Sequence, residues 1–250
     1  MLNFIYAIVS VFVVSLISLI GVFSLPFSDK KLKNILIYFI SFSAGALLGD
    51  VFIHLMPEII DRSSYSLTIA VYILSGIAAS FLLEKIVCWR HCHMPITKTH
   101  VHRLAYMNLF GDFIHNFIDG LSIGASYIVG IPVGIATTIA VVLHEIPQEI
   151  GDFGVLLHSG LTKTKALFYN FMTATSAILG TVIVFILSSY IKDLTPFLLS
   201  FAAGNFIYIA GADLIPELHK EEGAKKGFVQ LVFFLFGILI MMSLLFYEKK

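Results

Sequence analysis

The stretch LHEIPQEIGD, residues 143–152, places a histidine, three carboxylates and a glutamine around a proline, inside an apolar run long enough to cross a bilayer. A charged side chain in the middle of a membrane is costly unless it has a partner. The whole chain is 58% hydrophobic and 13% charged, whereas soluble domains carry about 25% charged residues. The composition therefore predicts a polytopic membrane protein, and the stretch predicts a site within the membrane.

Eight apolar stretches are long enough to span a membrane, which takes roughly 20 apolar residues. They lie at about 3–25, 35–57, 65–87, 104–129, 131–157, 164–190, 195–217 and 226–247. The first has no basic start and no small-residue cleavage site after it, so we expect a span and not a signal peptide. Residues 1–250 are therefore expected to form a single all-α transmembrane domain.

The basic residues predict the orientation, because cytoplasmic loops are enriched in Lys and Arg. With the N-terminus outside, the inner loops hold twelve of the 16 basic residues and the outer loops hold four. We therefore expect both termini on the extracytoplasmic side of a plasma or inner membrane. The formal net charge of zero argues against a nucleic-acid partner.

Two segments of the chain repeat each other. SFSAGALLGDVFIHLMPE (41–58) and SFAAGNFIYIAGADLIPE (200–217) share seven residues at a constant offset of 159. By the orientation above, the two segments cross the membrane in opposite directions. Inverted repeats are typical of transporters, whose substrate site lies near mid-membrane where the halves meet. The sequence predicts a 3+2+3 arrangement, with spans 4 and 5 between two halves of three spans. Shared helix-end chemistry is the alternative explanation.

Spans 4 and 5 carry polar side chains at helical spacing. Asp112, His115, Asn116 and Asp119 form one stripe, and the second consists of Glu145, Gln148, Glu149 and Asp152, with His144 at its edge. His115 lies 12 residues beyond Arg103, a rise of roughly 18 Å in a hydrocarbon core about 30 Å thick. Because a short turn joins the two spans, they are expected to run antiparallel with the stripes facing each other or a water-filled path.

These acids have no basic neighbour in sequence. There is no Lys or Arg between Arg103 and Lys163, although five carboxylates lie there. The acids are therefore protonated or neutralised by a cation from outside the chain. Histidines, an asparagine and carboxylates together form the ligand set of a borderline divalent metal ion, and protonated acids alone would not explain the histidines. A satisfied polar core and a proton relay are the alternatives.

Pro147 and the outer spans supply further candidate groups. A proline within a helix frees the carbonyl four residues earlier, that of Leu143, so we expect a bend and a free backbone oxygen in the site. His54 of span 2 is expected to complete the site, or else to pack by hydrogen bonding. Weaker candidates are residues along the metal path and two neutral ligands of span 6: Asp50, Glu58, Asp112, Asp152, Asp213, Glu217, Asn170 and Thr173.

The motifs resemble those of the ZIP family of metal importers. HNFIDG (115–120) is similar to that family's His-Asn-Xaa-Xaa-Asp/Glu-Gly motif, and HEIPQEIGD (144–152) to the fifth-helix motif that usually reads His-Glu-Xaa-Pro-His-Glu-Xaa-Gly-Asp in one subfamily. Residues 44–58 and 202–217 resemble the family's second and seventh helices. The likeness extends over nearly the whole chain.

The resemblance implies eight helices, a homodimer and a binuclear site between helices 4 and 5. By that resemblance, one ion is bound by His115, Asp119, His144 and Gln148 with His54, and a second is bordered by Asn116, Asp119, Glu145 and Gln148. It also implies import of Zn²⁺, or in some members Fe²⁺, Mn²⁺ or Cd²⁺, as the transported substrate, by alternating access. No catalytic cofactor is expected. The large extracellular N-terminal domain of many subfamily members is not expected here.

Gln148 departs from the subfamily motif, which has histidine at this position. An amide oxygen is harder than an imidazole nitrogen, so we expect weaker Zn²⁺ binding and greater tolerance of Fe²⁺ or Mn²⁺. The inner loop at 88–103 offers soft ligands that could receive metal, although a basic loop with incidental histidines is the alternative. These ligands are Cys88, His91, Cys92, His93, His100 and His102.

Other functions fit the residues less well. HEIPQ is similar to the His-Glu-Xaa-Xaa-His helix of metalloproteases, but its second histidine is missing and a proline interrupts the turn. We therefore expect no enzyme activity. A proton- or sodium-coupled carrier of an organic solute, using the same carboxylates, stays as the alternative function.

Overall fold

The chain folds as a bundle of long helices. The computed structural model describes residues 2–24, 29–63, 66–89, 98–190, 194–220 and 223–248. We label the eight helical spans α1–α8. The uninterrupted ones are α3 (Leu67–Trp89), α4 (Lys98–Val129), α5 (Ile131–His158) and α8 (Ala224–Glu248).

The other four spans are each built from more than one segment. In α1, Leu2–Ile17 continues as a 3₁₀ helix, Ser18–Ser24. In α6, Lys163–Ala174 is followed by Ser176–Leu187. Both α2 and α7 contain a π-helical segment: α2 consists of Asp29–Gly49, π-helical Asp50–Leu55 and Met56–Ser63, and α7 of Leu194–Tyr208, π-helical Ile209–Leu214 and Ile215–His219.

These helices confirm the predicted all-α membrane fold. Within the described ranges, seven helices are long and apolar enough to cross a membrane. The eighth, α4, has 32 residues but carries the first polar stripe, which lowers its hydropathy. Three predicted boundaries differ by six residues: α2 and α4 begin before the predicted starts at 35 and 104, and α2 ends at Ser63, after the predicted end at 57. The predicted loop at 88–103 is correspondingly shorter. Of its ligands, residues 91–93 lie outside the described chain, as do the side chains of Cys88, His100 and His102.

The packing follows the predicted repeat. α2 packs along α8 and α3 along α7, while α1 packs along α5 and α4 along α6. Exchanging the first three spans with the last three, and α4 with α5, reproduces these pairs. The repeats are also antiparallel: Asp29–Gly49 contacts the C-terminal segments of α7, whereas Met56–Ser63 contacts the N-terminal segment, Leu194–Tyr208. The inverted repeat is therefore present in the structure as well as in the sequence.

Two glycines at matching positions bring the paired helices into backbone contact. A Cβ atom at Gly45 would lie 2.0 Å from the carbonyl oxygen of Phe234 in α8, and a Cβ at Gly204 would lie 2.0 Å from that of Ile73 in α3. The offset between the two glycines, 204 − 45, is 159. The π-helical segments follow the same rule, because Asp50 and Ile209 are also 159 residues apart. The shared residues therefore specify backbone geometry, which shared helix-end chemistry alone would not explain.

Candidate metal centre

The two polar stripes face each other across α4 and α5, as the short connection between these helices predicts. The connection makes α4 and α5 antiparallel neighbours, and their side chains converge from both sides. Four of these residues form what we call the histidine cluster, in which one potential ligand atom from each lies within 4.8 Å of the others: His115, Asp119, His144 and Glu145.

The distances within the histidine cluster are short and nearly equal. His144 Nε2 lies 3.1 Å from Asp119 Oδ2, 3.2 Å from His115 Nε2 and 3.5 Å from Glu145 Oε1. His115 Nε2 lies 3.3 Å from Glu145 Oε1 and 3.6 Å from Asp119 Oδ2. Ligand atoms about 2.0–2.1 Å from a tetrahedral Zn²⁺ are roughly 3.4 Å apart. The four ligand atoms of the histidine cluster define a tetrahedron with six edges. Five of these edges therefore have about the length that zinc requires.

The hydrogen bonding and burial of His144 suit this residue to act as a metal ligand. Its Nδ1 lies 3.2 Å from the carbonyl oxygen of Ala140 one turn earlier. A carbonyl can only accept a hydrogen bond, so the proton belongs on Nδ1 and the Nε2 lone pair points into the cluster. His144 and Glu145 are buried, whereas the His115 side chain is 16% exposed. That exposed edge contributes to the wall of a cavity of about 230 Å³.

Several buried oxygens at the site have no hydrogen-bond partner within the described part of the chain. They include Asn116 Oδ1, Asp119 Oδ1 and Glu145 Oε2. A buried acceptor without a donor is destabilising, and a bound cation is one way to satisfy it. The unsatisfied oxygens and the tetrahedral spacing thus point to the same kind of ligand.

Gln148 borders the histidine cluster. It lines the 230 Å³ cavity together with His115, and a second cavity together with His144 and Pro147. The amide therefore borders the same spaces as both histidines. That Gln148 influences metal preference stays a prediction.

The remaining acids of the stripes form a second group. Asp112, Glu149 and Asp152 place one carboxylate oxygen each within 4.8 Å of the others, one helical turn from the histidine cluster. We call this group the oxygen cluster. Asn170 of α6 donates to Glu149, and Thr173 of α6 donates to Asp112. The two span-6 residues considered as neutral ligands therefore contact the oxygen cluster and not the histidines.

The structure does not bring the candidates of α2 into either cluster. His54 is buried, and its Nε2 lies 3.0 Å from the carbonyl oxygen of Met241 in α8. Asp50 accepts a hydrogen bond of 3.1 Å from Thr137 of α5. Although Asp50 and His54 are four residues apart, their side chains thus reach different helices.

The acids at the helix ends have basic partners. Glu58 is paired with Arg62, and Glu217 with Lys220. These pairs favour solvated helix ends over metal ligands. Asp213, by contrast, is exposed and lines both cavities beside Gln148. Its role on a metal path stays a prediction.

The expectation of a free Leu143 carbonyl is wrong. Pro147 lies inside α5 and removes the helical donor for this carbonyl, as predicted. The Ser43 hydroxyl of α2, however, lies 2.5 Å from the Leu143 oxygen and 2.7 Å from Phe39 O of its own helix, and its single proton is shared between these two acceptors. Sequence reasoning missed Ser43, because a serine in a membrane helix ordinarily bonds only within its own helix.

Comparison with known proteins identifies the family. The model of the family described as ZIP Zinc transporter matches residues 2–104 and 90–245. The chain belongs to the ZIP zinc transporter family.

Named ZIP proteins resemble the chain over different lengths. Zinc transporter ZIP10 of Mus musculus is 38% identical over 169 residues, which cover 64% of this chain and 20% of the mouse protein. Zinc transporter zipt-7.2 of Caenorhabditis elegans is 30% identical over 84% of this chain. The ZIP13 homolog of Drosophila melanogaster is 30% identical over 88% of this chain and 79% of its own length. The chain thus spans only one fifth of the mouse ZIP10 relative.

Proposed function

We propose that this ZIP-family chain carries divalent transition-metal ions, with Zn²⁺ as the main substrate, through the histidine cluster between α4 and α5. The supporting observation is a buried set of two imidazole nitrogens and two carboxylate oxygens, in which five of the six separations are 3.1–3.6 Å, as around a tetrahedral ion. Two carboxylates balance the charge of one divalent ion. Neutral imidazoles complete a ligand set suited to zinc.

A carrier must also release its ion, and the site has features that favour release. The 230 Å³ cavity reaches His115, Gln148 and Asp213, so that an open space and a neutral amide border the exposed edge of the cluster. We propose import toward the cytoplasm by alternating access, with both termini outside and the Asp213 end of the cavity on the cytoplasmic side. The charge bias of the loops supports this orientation.

A second ion beside the first is part of this proposal. Asn116 Oδ1 is buried without a partner, and Glu145 and Asp119 each have an oxygen that the histidines do not contact. These groups, with Gln148, support the binuclear arrangement that the family resemblance implies. A homodimer belongs to the same proposal, and the mass of the purified protein in detergent tests it.

The competing functions are less well supported. Relatives are named as zinc transporters, which favours a carrier that is not an enzyme. An organic-solute carrier has no use for two imidazoles whose ring nitrogens converge on one point. Uptake that depends on Na⁺ and ignores competing divalent ions would favour the organic-solute function instead.

Zinc uptake by proteoliposomes tests the proposed function. We expect His144→Ala and Glu145→Gln each to reduce the initial rate of Zn²⁺ uptake by at least roughly tenfold, since even groups behind the ligands contribute 10–100-fold to metal affinity. His219→Ala is the matched control, because His219 is exposed at the end of α7 and lies outside both clusters. Normal uptake by both cluster variants, with correct folding, would exclude this site.

Gln148→His tests the role of the amide in metal preference. An added imidazole at this position should favour Zn²⁺ over Mn²⁺ by roughly tenfold, because imidazole suits zinc and an amide oxygen suits harder ions. Competition between the two ions in the uptake assay measures this ratio. An unchanged ratio would mean that residue 148 does not contact the transported ion.

A further inference from the structure

The oxygen cluster differs chemically from the histidine cluster beside it. Asp112 and Glu149 are buried, and with Asp152 they provide three carboxylates within 4.8 Å of one another. The chain has no Lys or Arg between Arg103 and Lys163. Three acids at such distances repel one another unless a positive charge or protons separate them.

The hydrogen-bond partners of Asp112 and Glu149 are neutral groups. Asn116 donates to Asp112 Oδ1 at 2.7 Å, and Thr173 donates to its other oxygen. Asn170 donates to Glu149 Oε2. Amides and hydroxyls orient the carboxylates but leave their charge uncompensated.

Two of these amides also present an unsatisfied oxygen. Asn116 and Asn170 are both fully buried, and Oδ1 of each has no hydrogen-bond partner in the described chain, nor has Glu149 Oε1. Each amide thus hydrogen-bonds to the cluster through its nitrogen and leaves the oxygen on the same carbon without a donor. The cluster is thus bordered by buried oxygen atoms that could accept a cation but have no donor.

We propose that Asp112, Glu149 and Asp152, assisted by the amide oxygen of Asn170, form a further cation site, separate from the two ions of the proposed binuclear centre and built from oxygen ligands alone. Such a site prefers a hard divalent ion such as Mn²⁺, whereas the histidine cluster prefers Zn²⁺. The site has three carboxylates, so it retains negative charge when one divalent ion is bound.

Access to this site comes from the cavity already described. Asp112 and Asp152 line it together with His115 and Gln148, so an ion can reach either cluster from the same space. The inference rests on the proposed function for the route by which the ion arrives. Its binding chemistry depends only on the oxygen cluster itself. Through Asn170 and Thr173, α6 takes part in this site but not in the histidine cluster.

Manganese binding to the purified full chain in detergent tests the proposal. The electron paramagnetic resonance signal of hydrated Mn²⁺ falls as the ion binds, which gives a Kd. We expect the Kd for Mn²⁺ to rise at least roughly tenfold in Asp152→Asn and in Glu149→Gln, and to change by less than about threefold in His144→Ala. Glu84→Gln is the matched control, since Glu84 lines the same cavity but is outside the cluster.

Zinc binding in the same variants completes the test. X-ray absorption of bound Zn²⁺ should show nitrogen ligands in Asp152→Asn and in Glu149→Gln, which also demonstrates that these variants are folded. The signal should be lost in His144→Ala. The proposal is overturned if the wild-type protein binds no Mn²⁺, or if His144→Ala abolishes Mn²⁺ binding and both acid variants retain it. Failed Zn²⁺ uptake with both binding profiles intact would refute transport and leave the further cation site standing.

Discussion

The repeated segments of α2 and α7 have the same backbone but different side-chain roles. Gly45 and Gly204 each meet a neighbouring carbonyl, and both spans turn π-helical at matching residues. Yet His54, buried against Met241, has as its counterpart Asp213, which is exposed and lines both cavities. The two repeats thus share the packing of their helices, whereas the side chains at equivalent positions differ in chemistry and in exposure.

The two positions also differ in their surroundings. Both described cavities reach Asp213, and His54 lines neither of them. The two cavities therefore lie at the α7 position of the repeat and not at the equivalent position of α2. In a carrier built from inverted repeats, alternating access would exchange these two environments.

The largest expected effect comes from breaking the shared backbone contact. Gly45→Ala and Gly204→Ala should each destabilise the protein by about 1–3 kcal/mol, because an added Cβ must push two helices apart. The midpoint of thermal unfolding in detergent measures the loss.

Gly211→Ala is the control for both variants. It lies in α7 with nothing within 4 Å of an added Cβ, so we expect no loss of stability. Very different losses at residues 45 and 204 would show that the two halves are not equivalent in energy.

Accessibility sharpens the contrast between His54 and Asp213. In a background of Cys88→Ser and Cys92→Ser, Asp213→Cys should react with a polar maleimide at least roughly tenfold faster than His54→Cys, because a buried site must first open. Labelling rates are read from the mass of the intact protein. Equal rates would mean that the α2 position is as accessible as the equivalent α7 position.

Ser43 marks a position at which the two repeats differ, since Ala202 occupies the equivalent place in α7. Ser43→Ala removes the hydrogen bond to Leu143 O, and we expect a loss of about 1 kcal/mol. The matched control is Ser41→Ala, because the Ser41 hydroxyl donates to Ile37 O within its own helix. If both variants melted at the same temperature, the link to α5 would contribute nothing to stability.

The smallest effects are expected at the matching ion pairs that end the two spans. Arg62→Ala and Lys220→Ala each remove an exposed pair, with Glu58 and Glu217 respectively. Exposed pairs contribute roughly 0–1 kcal/mol, so both variants should melt within a few degrees of the wild type and transport normally. A large loss of uptake in either would restore the glutamates as candidates for the metal path.

The sequence was most informative where polarity contrasts with the membrane. A charged or polar group in hydrocarbon is costly unless it has a partner, so Asp112 and His144 are recognisable as candidate site residues. Helical spacing then places them on facing stripes. The antiparallel arrangement of α4 and α5 also brings the oxygen cluster together. The first residues of the α4 stripe lie opposite the last residues of the α5 stripe. This cluster was not predicted from the sequence.

Other features leave no trace in a 3.6-residue pattern. A single wide turn, as at Asp50–Leu55, changes no residue type, so the π-helical segments were not predicted. The contact of His54 with a backbone carbonyl of α8 depends on how two distant helices cross. The same is true of Ser43, whose partner appears only when α2 lies against α5.

The paired π-helical segments also bear on the history of the chain. A π-helical turn holds one residue more than the α-helical turn it replaces, so an insertion in only one half would shift the internal alignment by one position. The alignment instead continues without a gap from Ser41 to Glu58 and from Ser200 to Glu217. One insertion in an ancestral half, before that half was duplicated, accounts for both segments. Two separate insertions would have to occur at the same position in each half.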